Sequence, residues 1–402
     1  MNPEYRKICV LGLGYIGLPT ASLLGTKGYN VVGVDVDQRV VETINKGNAH
    51  INEPDLDILL KSAVQSGNLR ASLVPEEADI FIIAVPTPFK SGYQPDLQYV
   101  QQATQTIVPF VRRGNLVILE STSPVGTTND VVAGGLRASN LRVGDEVFVA
   151  HCPERVLPGR ILTELVENDR IVGGINESST DVACAFYSEF VRGEVLRTDA
   201  STAEMTKLVE NTFRDVNIAF ANELSVICDT LSINVWDVIA LANRHPRVNI
   251  LQPGPGVGGH CIAVDPWFIV ARTPEIAKLT RAAREINDAK PHWVIERVIS
   301  KARKFREPVI ACLGISFKAD VADMRESPAL YIARTLRDQK IGRVLVCEPN
   351  APLVNGFESV PLEEAIAQAD IIVLLVDHRA FRKLRASDLK EKVVIDTRGC
   401  LR

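Results

Sequence analysis

A short apolar run, Lys7-Ile-Cys-Val-Leu-Gly12, passes directly into Gly12-Leu-Gly14-Tyr-Ile-Gly17 and then into a helical pattern over 17–27. Strand, glycine turn and helix in that order leave few folds open. Gly12 makes the turn, Gly14 admits a pyrophosphate to the helix amino terminus, and Gly17 lets helix and strand pack closely. A second apolar run, Val31-Val-Gly-Val-Asp35, ends in an acid eighteen residues past Gly17. A carboxylate there accepts hydrogen bonds from a ribose 2′-hydroxyl and repels a 2′-phosphate, so the context predicts NAD in preference to NADP. Arg39 either lies near the adenosine side or is a solvated helix charge.

Further apolar runs at 80–85, 116–119 and 147–150 alternate with helical patterns at 37–46, 55–66 and 98–112. That alternation predicts a doubly wound parallel sheet covered on both faces. From 200 to 242 the text changes to a pattern without Gly or Pro and with apolar residues on both sides, read as one long helix serving as a domain connector or a dimer face. A second helical stretch spans 275–303. After Pro308 the alternation resumes, with strands at 309–313, 343–347, 371–376 and 393–396 and a helix at 328–339. The expected architecture is α/β: two doubly wound Rossmann-like domains, 1–198 and 304–402, joined by a long central helix and a helical dimerisation region over 199–303.

With 402 residues, 46% of them hydrophobic, there is enough apolar material for several cores. A formal charge of −4 with no long basic run argues against coating nucleic acid. The amino terminus lacks a signal-peptide pattern, and nowhere do eighteen apolar residues run together, so no membrane span and a cytoplasmic location are expected. The eight cysteines show no C-x-x-C pair, which fits a reducing compartment. His151-Cys152 and His260-Cys261 invite a metal reading, but further ligands at regular spacing are missing, and no metal is expected.

The chemistry-bearing residues fall at strand ends, on the long helix and in one glycine-rich segment. Gly254-Pro-Gly-Val-Gly-Gly-His-Cys-Ile-Ala-Val-Asp265 sets Cys261 just after glycines 254, 256, 258 and 259 and four residues before Asp265. A thiol there can attack a carbonyl whose oxygen the glycine amides stabilise. The plainer reading is a Gly/Pro surface turn with an incidental buried cysteine. Thr87 and Thr122 sit where parallel strands end, within reach of a nicotinamide, unless Thr-Pro and Ser-Pro merely stop the strands. Glu154 and Arg155 follow the next strand as a base or water-orienting group and an anion ligand. Lys207, Asn211 and Arg214 share one helix face, either a solvated stripe or a set that binds an alkoxide and substrate hydroxyls. Arg244, His245 and Arg247 form a cationic cluster suited to a phosphate or carboxylate. Phe317, Lys318, Arg325 and, near the end of the last strand, Arg398 add further candidates.

Taken in order, GLGYIGLP, VPTPF, ESTSPVGTT, CPERVLPG, the Lys207/Asn211 helix, GPGVGGHCIAVDPWF and FKADVADMRESPA resemble the UDP-glucose/UDP-GlcNAc/UDP-ManNAc dehydrogenase family over almost the whole chain. The segment RHPRVNILQPGPGVGGHCIAVDPWF looks most like the branch acting on UDP-N-acetyl-D-mannosamine. The resemblance implies two NAD-dependent oxidations of a sugar C6 alcohol to a carboxylate. It also implies that Cys261 is the nucleophile, Lys207 stabilises oxyanions, Asn211 and Asp265 position water, and Glu154 assists hydrolysis. Arg155, Val156, Arg214, Arg244, His245, Arg247, Gly258, Phe317, Lys318 and Arg398 match substrate-binding positions. One of the basic residues at 244–247 is expected to reach a neighbouring subunit's site. Tyr15, Ile16, Asp35, Thr87, Thr122 and Arg325 fall at NAD contacts. A UDP-sugar substrate and a homodimer through the central helix are the implied partners, with a higher homo-oligomer left open. The carboxyl-terminal sheet lacks a G-x-G-x-x-G, in keeping with binding UDP there instead of a second NAD.

Overall fold

The alternating runs do form strands and helices where their periodicity sets them. In the computed structural model, residues 6–259, 261–351, 353–354 and 356–401 are described, so His260 of the second His-Cys dipeptide lies outside the described residues. The chain divides into two compact units, Met1–Glu210 and Asn211–Arg402.

The first unit runs β1 (Lys7–Leu11), α1 (Gly17–Thr26), β2 (Asn30–Val34), α2 (Gln38–Asn45), α3 (Leu56–Gln65), β3 (Leu69–Ser72), β4 (Ile80–Ile83), α4 (Gln98–Ile107), β5 (Leu116–Leu119), β6 (Phe148–His151), α5 (Ile161–Glu167), β7 (Arg170–Gly174), α6 (Glu177–Tyr187) and β8 (Val195–Asp199). Among the described residues these strands make one sheet in the order β8-β7-β6-β5-β4-β1-β2-β3. Period-two alternation divides its core between two faces. Ile8, Val10, Ile80 and Ile82 enter one cluster with Leu18 and Leu24 of α1. Cys9, Leu11, Phe81 and Ile83 enter another with Val100 and Ile107 of α4.

The sheet departs from the expected one in two respects. β6 and β7 pair antiparallel, through Ala150↔Gly174 and His151↔Gly173, so the sheet is not parallel throughout. β3, β7 and β8 were not legible from hydrophobic patterning. β3 and β8 are edge strands with part of their side chains in solvent, and β7 opens on a buried arginine, Arg170, which no apolar pattern announces.

Helix α7 (Ala200–Thr230) carries the chain into the second unit. The expected single helix over 200–242 is in fact two, since α8 (Val235–Ala242) follows a break. Ser232 takes a left-handed φ of 58°, the Ile233 N–H returns to the Cys228 carbonyl at 2.8 Å, and the Ser232 N–H reaches the Asp229 carbonyl at 3.1 Å. This helix-terminating pair of bonds usually marks itself by a glycine, which is missing here. Asn234 then caps α8 by accepting from the Trp236 N–H.

The second unit continues with α9 (Asp265–Arg272), α10 (Lys278–Ala302), β9 (Val309–Leu313), α11 (Pro328–Asp338), β10 (Arg343–Cys347), α12 (Leu362–Gln368), β11 (Ile371–Leu374) and β12 (Val393–Asp396). Its sheet, β10-β9-β11-β12, is parallel throughout. Val294, Ile295 and Val298 of α10 pack with Ile332, Ala333 and Leu336 of α11 on one face. Ala365 and Phe381 cover the other. No helix among the described residues is long and apolar enough to cross a membrane.

Candidate active site

The glycine turn of the first unit shows three different uses of the missing side chain. Gly12 adopts φ +90°, and a Cβ there would fall 2.6 Å from the Ala84 carbonyl oxygen; at Gly17 it would fall 1.8 Å from the Gly12 oxygen. A Cβ on Gly14 would meet nothing, so that residue faces open space at the head of α1. Exposed backbone at a helix amino terminus suits a pyrophosphate, through N–H groups and the positive end of the helix dipole. Asp35, just past β2, accepts from the Leu13 N–H and the Asp37 N–H, each at 3.0 Å. Its carboxylate is thereby anchored to the turn it serves. These residues fit NAD. Tyr15 and Arg39 are exposed nearby in sequence, with Ile16 half-buried. The Thr87 hydroxyl donates to the Thr122 carbonyl at 2.6 Å, joining the ends of β4 and β5.

Glu154 is engaged through both oxygens. Oε1 accepts from the Arg155 N–H at 2.7 Å, and Oε2 receives Arg170 Nη1 at 2.8 Å in a buried ion pair. Arg155 itself reaches Glu210 at 2.8 Å, and Val156 packs on the core. The same buried cluster holds Glu120, which accepts from the Tyr187 hydroxyl at 2.7 Å. Burial pushes the Glu120 carboxyl up to about 7, opposed by Arg170 and reinforced by Glu154. Between about 4.5 and 7 the folded chain therefore holds a proton that the unfolded chain releases. Stability due to this group falls as pH rises through that window and is level above it. Glu120→Gln should remove the slope, gaining about 3 kcal/mol over wild type at pH 8 and nothing at pH 4 in urea unfolding. A constant difference between the two pH values would refute the assignment.

Sequence reasoning missed Glu120, Tyr187, Arg170 and Glu204. Glu204, on α7, is buried and accepts from the N–H groups of Gly126 and Thr128 at 2.6 and 2.7 Å and from the Thr128 hydroxyl at 2.6 Å. It pins the Ser-Pro-Val-Gly loop after β5 to the helix that carries Lys207. A carboxylate beside exposed helix residues gives no sequence signal of that role.

Lys207 and Asn211 stand one turn apart on α7. No ion pair or hydrogen bond among the described residues holds the Lys207 ammonium, which is half-buried. Asn211 is buried; its Nδ2 donates to Asp265 Oδ2 at 2.5 Å, and its Oδ1 accepts from Arg214 at 2.6 Å. Asp265 is the first residue of α9, and the Cys261 carbonyl accepts from the N–H groups of Val264 and Asp265 at 3.1 and 2.9 Å. The turn that leads into α9 thus presents Cys261 exposed, with its backbone tied to the residue that Asn211 grips. Of the eight cysteines it is the one that is fully exposed; burial pushes the Cys9, Cys152, Cys312 and Cys347 thiols up to about 12. Those four are inert core residues by the same physics that makes an exposed thiol available.

Buried polar groups brace this segment. Arg284 Nη1 meets Asp215 at 2.5 Å and the Ile262 carbonyl at 3.5 Å. Asn222 accepts from the Gly254 N–H at 2.8 Å and donates to Asn287 at 2.8 Å. A Cβ on Gly258 would lie 2.5 Å from the Glu326 carbonyl oxygen and 3.1 Å from Phe317 Cβ, and one on Gly254 would lie 2.6 Å from Arg398. Close approach of neighbouring atoms, and not a positive φ, is what these two glycines allow. Arg398 is held by Asp377 at 2.9 Å, Arg325 is paired with Asp323 at 2.5 Å, and Lys318 is exposed. Arg244, His245 and Arg247 are exposed after α8, where the Arg247 N–H donates to His245 Nδ1 at 3.3 Å. No bond among the described residues joins that cluster to the cysteine segment.

The chain matches the UDP-glucose/GDP-mannose dehydrogenase family in three parts: its NAD binding domain over residues 6–191, central domain over 201–289 and UDP binding domain over 311–402. It is 57% identical to the NDP-N-acetyl-D-galactosaminuronic acid dehydrogenase of Ralstonia nicotianae, over 98% of this chain and 96% of that one. The chain belongs to the UDP-glucose/GDP-mannose dehydrogenase family. Another member, the UDP-N-acetyl-D-mannosamine dehydrogenase of Campylobacter jejuni, is 52% identical over 95% of this chain and 98% of that protein. The structure of the UDP-N-acetyl-mannosamine dehydrogenase Cap5O from S. aureus superposes with a TM-score of 0.90 at 43% identity, covering 98% of this chain and 96% of that one. Like its family, the chain is an NAD-dependent oxidoreductase with the Rossmann-like α/β fold expected from its sequence.

Proposed function

We propose that this enzyme oxidises UDP-N-acetyl-D-mannosamine at C6 to the uronate, with two NAD and one water consumed and two NADH formed. The observation that carries the reading is the exposed Cys261 at the turn into α9, whose first residue is gripped by Asn211 one helical turn from Lys207. Relatives named UDP-N-acetyl-D-mannosamine dehydrogenase, matched nearly end to end, support the sugar.

The turn of Gly12, Gly14, Tyr15, Ile16 and Gly17, with Asp35, Arg39, Thr87 and Thr122, would hold NAD, which would supply the hydride acceptor for both oxidations; the family resemblance assigns Arg325 to the same cofactor. In the first oxidation the C6 alcohol becomes the aldehyde by losing a hydride and its hydroxyl proton, the proton passing to a water held by Asn211 and Asp265, while Lys207 donates to the C6 oxygen and stabilises the negative charge that develops there. The Cys261 thiolate adds to the C6 aldehyde and keeps it as a thiohemiacetal, so that no free aldehyde is released. Loss of the remaining C6 hydrogen as hydride leaves a thioester on Sγ. A water positioned by Asn211 and Asp265 adds to that carbonyl, and the thiolate departs to give the acid. Glu154, oriented by the Arg155 N–H and by Arg170, assists the hydrolysis. The family resemblance assigns Arg155, Val156, Arg214, Gly258, Phe317, Lys318 and Arg398 to the nucleotide sugar, together with Arg244, His245 and Arg247, one of which would serve a neighbouring subunit's site.

The assignments 1–198 for NAD, 199–303 for the central helical region and 304–402 for UDP-sugar belong to this reading, as does action in the cytoplasm. Phe213, Phe220 and Ile227 recur at heptad spacing on α7 and are exposed, which supports a homodimer through that helix.

A second sugar reading comes from the Ralstonia relatives, whose names specify N-acetyl-D-galactosaminuronic acid. Turnover of UDP-ManNAc, UDP-GalNAc, UDP-GlcNAc and UDP-glucose, with NADH counted against product mass, separates them. The expected result is the highest kcat/KM for UDP-ManNAc and two NADH per acid. A preference for another sugar overturns the substrate, and one NADH per product overturns the four-electron reaction.

A further inference from the structure

The two sheets of this chain begin alike and then diverge at one acid. In the first unit the Gly12 N–H donates to the Val34 carbonyl at 2.8 Å and Asp35 receives the next N–H, that of Leu13. In the second unit Gly314, with φ +80°, donates to the Cys347 carbonyl at 2.9 Å, and Glu348 Oε2 receives the N–H groups of Ile315 and Ser316 at 2.9 and 3.1 Å. There the likeness ends. α1 opens at Gly17, whereas α11 opens only at Pro328, so the loop 315–327 stands in place of a phosphate turn.

Glu348 is fully buried; the same Oε2 also meets His378 Nε2 at 3.2 Å, while Oε1 accepts from the Asn350 N–H at 3.3 Å. The other ring nitrogen, Nδ1, accepts from the Asp320 N–H at 2.9 Å and lies 3.1 Å from Asn350 Nδ2. A ring nitrogen that accepts carries no proton, which assigns the proton to Nε2, aimed at the Glu348 carboxylate. Burial alone would raise the Glu348 carboxyl, but the His378 bond and the Ile315 N–H outweigh it and hold it below the usual range. One histidine therefore ties three places in the loop neighbourhood: Glu348, Asp320 and, through Ser316 Oγ at 3.3 Å, the start of the loop. Between those ties lie Phe317 and Lys318. The positions a Cβ would take on Gly258 and Gly259 lie 3.1 Å from Phe317 Cβ and 3.0 Å from Phe317 Cε2. The backbone running up to Cys261 rests on that residue.

We propose that His378 and Glu348 are positioning residues: together they fix the 315–320 loop, and through Phe317 they set both nucleotide-sugar affinity and the seat of the Cys261 segment. The inference rests on the reading of Phe317 and Lys318 as sugar-nucleotide ligands. A carboxylate held by His378 and the loop N–H groups at one oxygen and by the Asn350 N–H at the other is also withdrawn from the ribose-binding role that Asp35 keeps.

The test uses full-length enzyme with UDP-ManNAc and NAD, comparing wild type with His378→Ala, His378→Gln and Glu348→Gln. Inactive wild type would reject the substrate reading and leave the clamp to be judged by alkylation of Cys261 with iodoacetamide, whose rate should change at least about threefold in His378→Ala. With active wild type, His378→Ala should raise KM for the sugar nucleotide at least about tenfold while KM for NAD stays within about twofold. His378→Gln, which can still donate to Glu348, should recover part of the loss. Proportionate loss of kcat with both KM values unchanged is what a merely structural role produces, and it would overturn the proposal. Should His378→Ala fail to fold, Glu348→Gln carries the same two outcomes, since it keeps the side chain's shape and removes its charge.

Discussion

Cys261→Ser is expected to lower the rate of acid formation by about three orders of magnitude or more while leaving NAD affinity within about twofold. The substitution changes one atom on an exposed side chain whose backbone bonds to Val264 and Asp265 are unaffected, so the turn into α9 should persist. What changes is chemistry. A hydroxyl is almost wholly protonated at neutral pH, whereas a thiol supplies a useful fraction of thiolate, and an oxygen ester leaves less readily than a thioester. The NAD turn of residues 12–17 lies in the other compact unit and keeps its glycines and Asp35. Product mass, NADH counts and a fluorescence titration with NAD measure the two halves of the claim. Undiminished acid formation in the serine variant would remove Cys261 from the mechanism.

Arg284→Met should destabilise the second unit by about 3–5 kcal/mol. Arg284 and Asp215 are 1% and 0% exposed and meet at 2.5 Å, with Asn287 donating to the same carboxylate at 2.8 Å. Removing the guanidinium leaves a buried aspartate without its counter-charge, a far more costly state than the loss of an exposed pair. Burial already raises the Asp215 carboxyl, against the attraction of Arg284, so the variant's aspartate should be raised further. A native carboxyl above its unfolded value binds the extra proton, so the deficit should grow as pH rises past the ordinary aspartate range. Urea unfolding at pH 5 and pH 8 reads that sign. The double variant Arg284→Met/Asp215→Leu should recover much of the stability, because an apolar pair removes the stranded charge. A single variant within about 1 kcal/mol of wild type at both pH values would show that the pair contributes little.

The NAD turn and the cysteine segment were legible for a shared reason: each depends on residues whose backbone freedom or reactivity is rare. Glycines at 12, 14 and 17 have distinct, spacing-dependent duties, and an acid after the second strand completes the pattern at a fixed distance. Asn211 and Asp265 could be named as candidates, but their 2.5 Å bond could not, because fifty-three residues and a helix break separate them. The break itself, at Ser232, hid behind a sequence with no glycine to mark it.

What the sequence alone determined is therefore the local part: which strongly patterned runs are strands and helices, where a dinucleotide phosphate can approach, and which thiol follows a glycine-rich turn. Periodicity and special backbone conformations act over a few residues and leave their mark in the text. Tertiary structure alone decided which polar groups are buried together. Glu154 with Arg170, Glu204 with the loop at 126–128, Asp215 with Arg284 and Glu348 with His378 each join residues distant in sequence. A charge or hydroxyl reads as surface until folding removes it from water, and only then must it find a partner; that pairing is a property of packing, not of pattern.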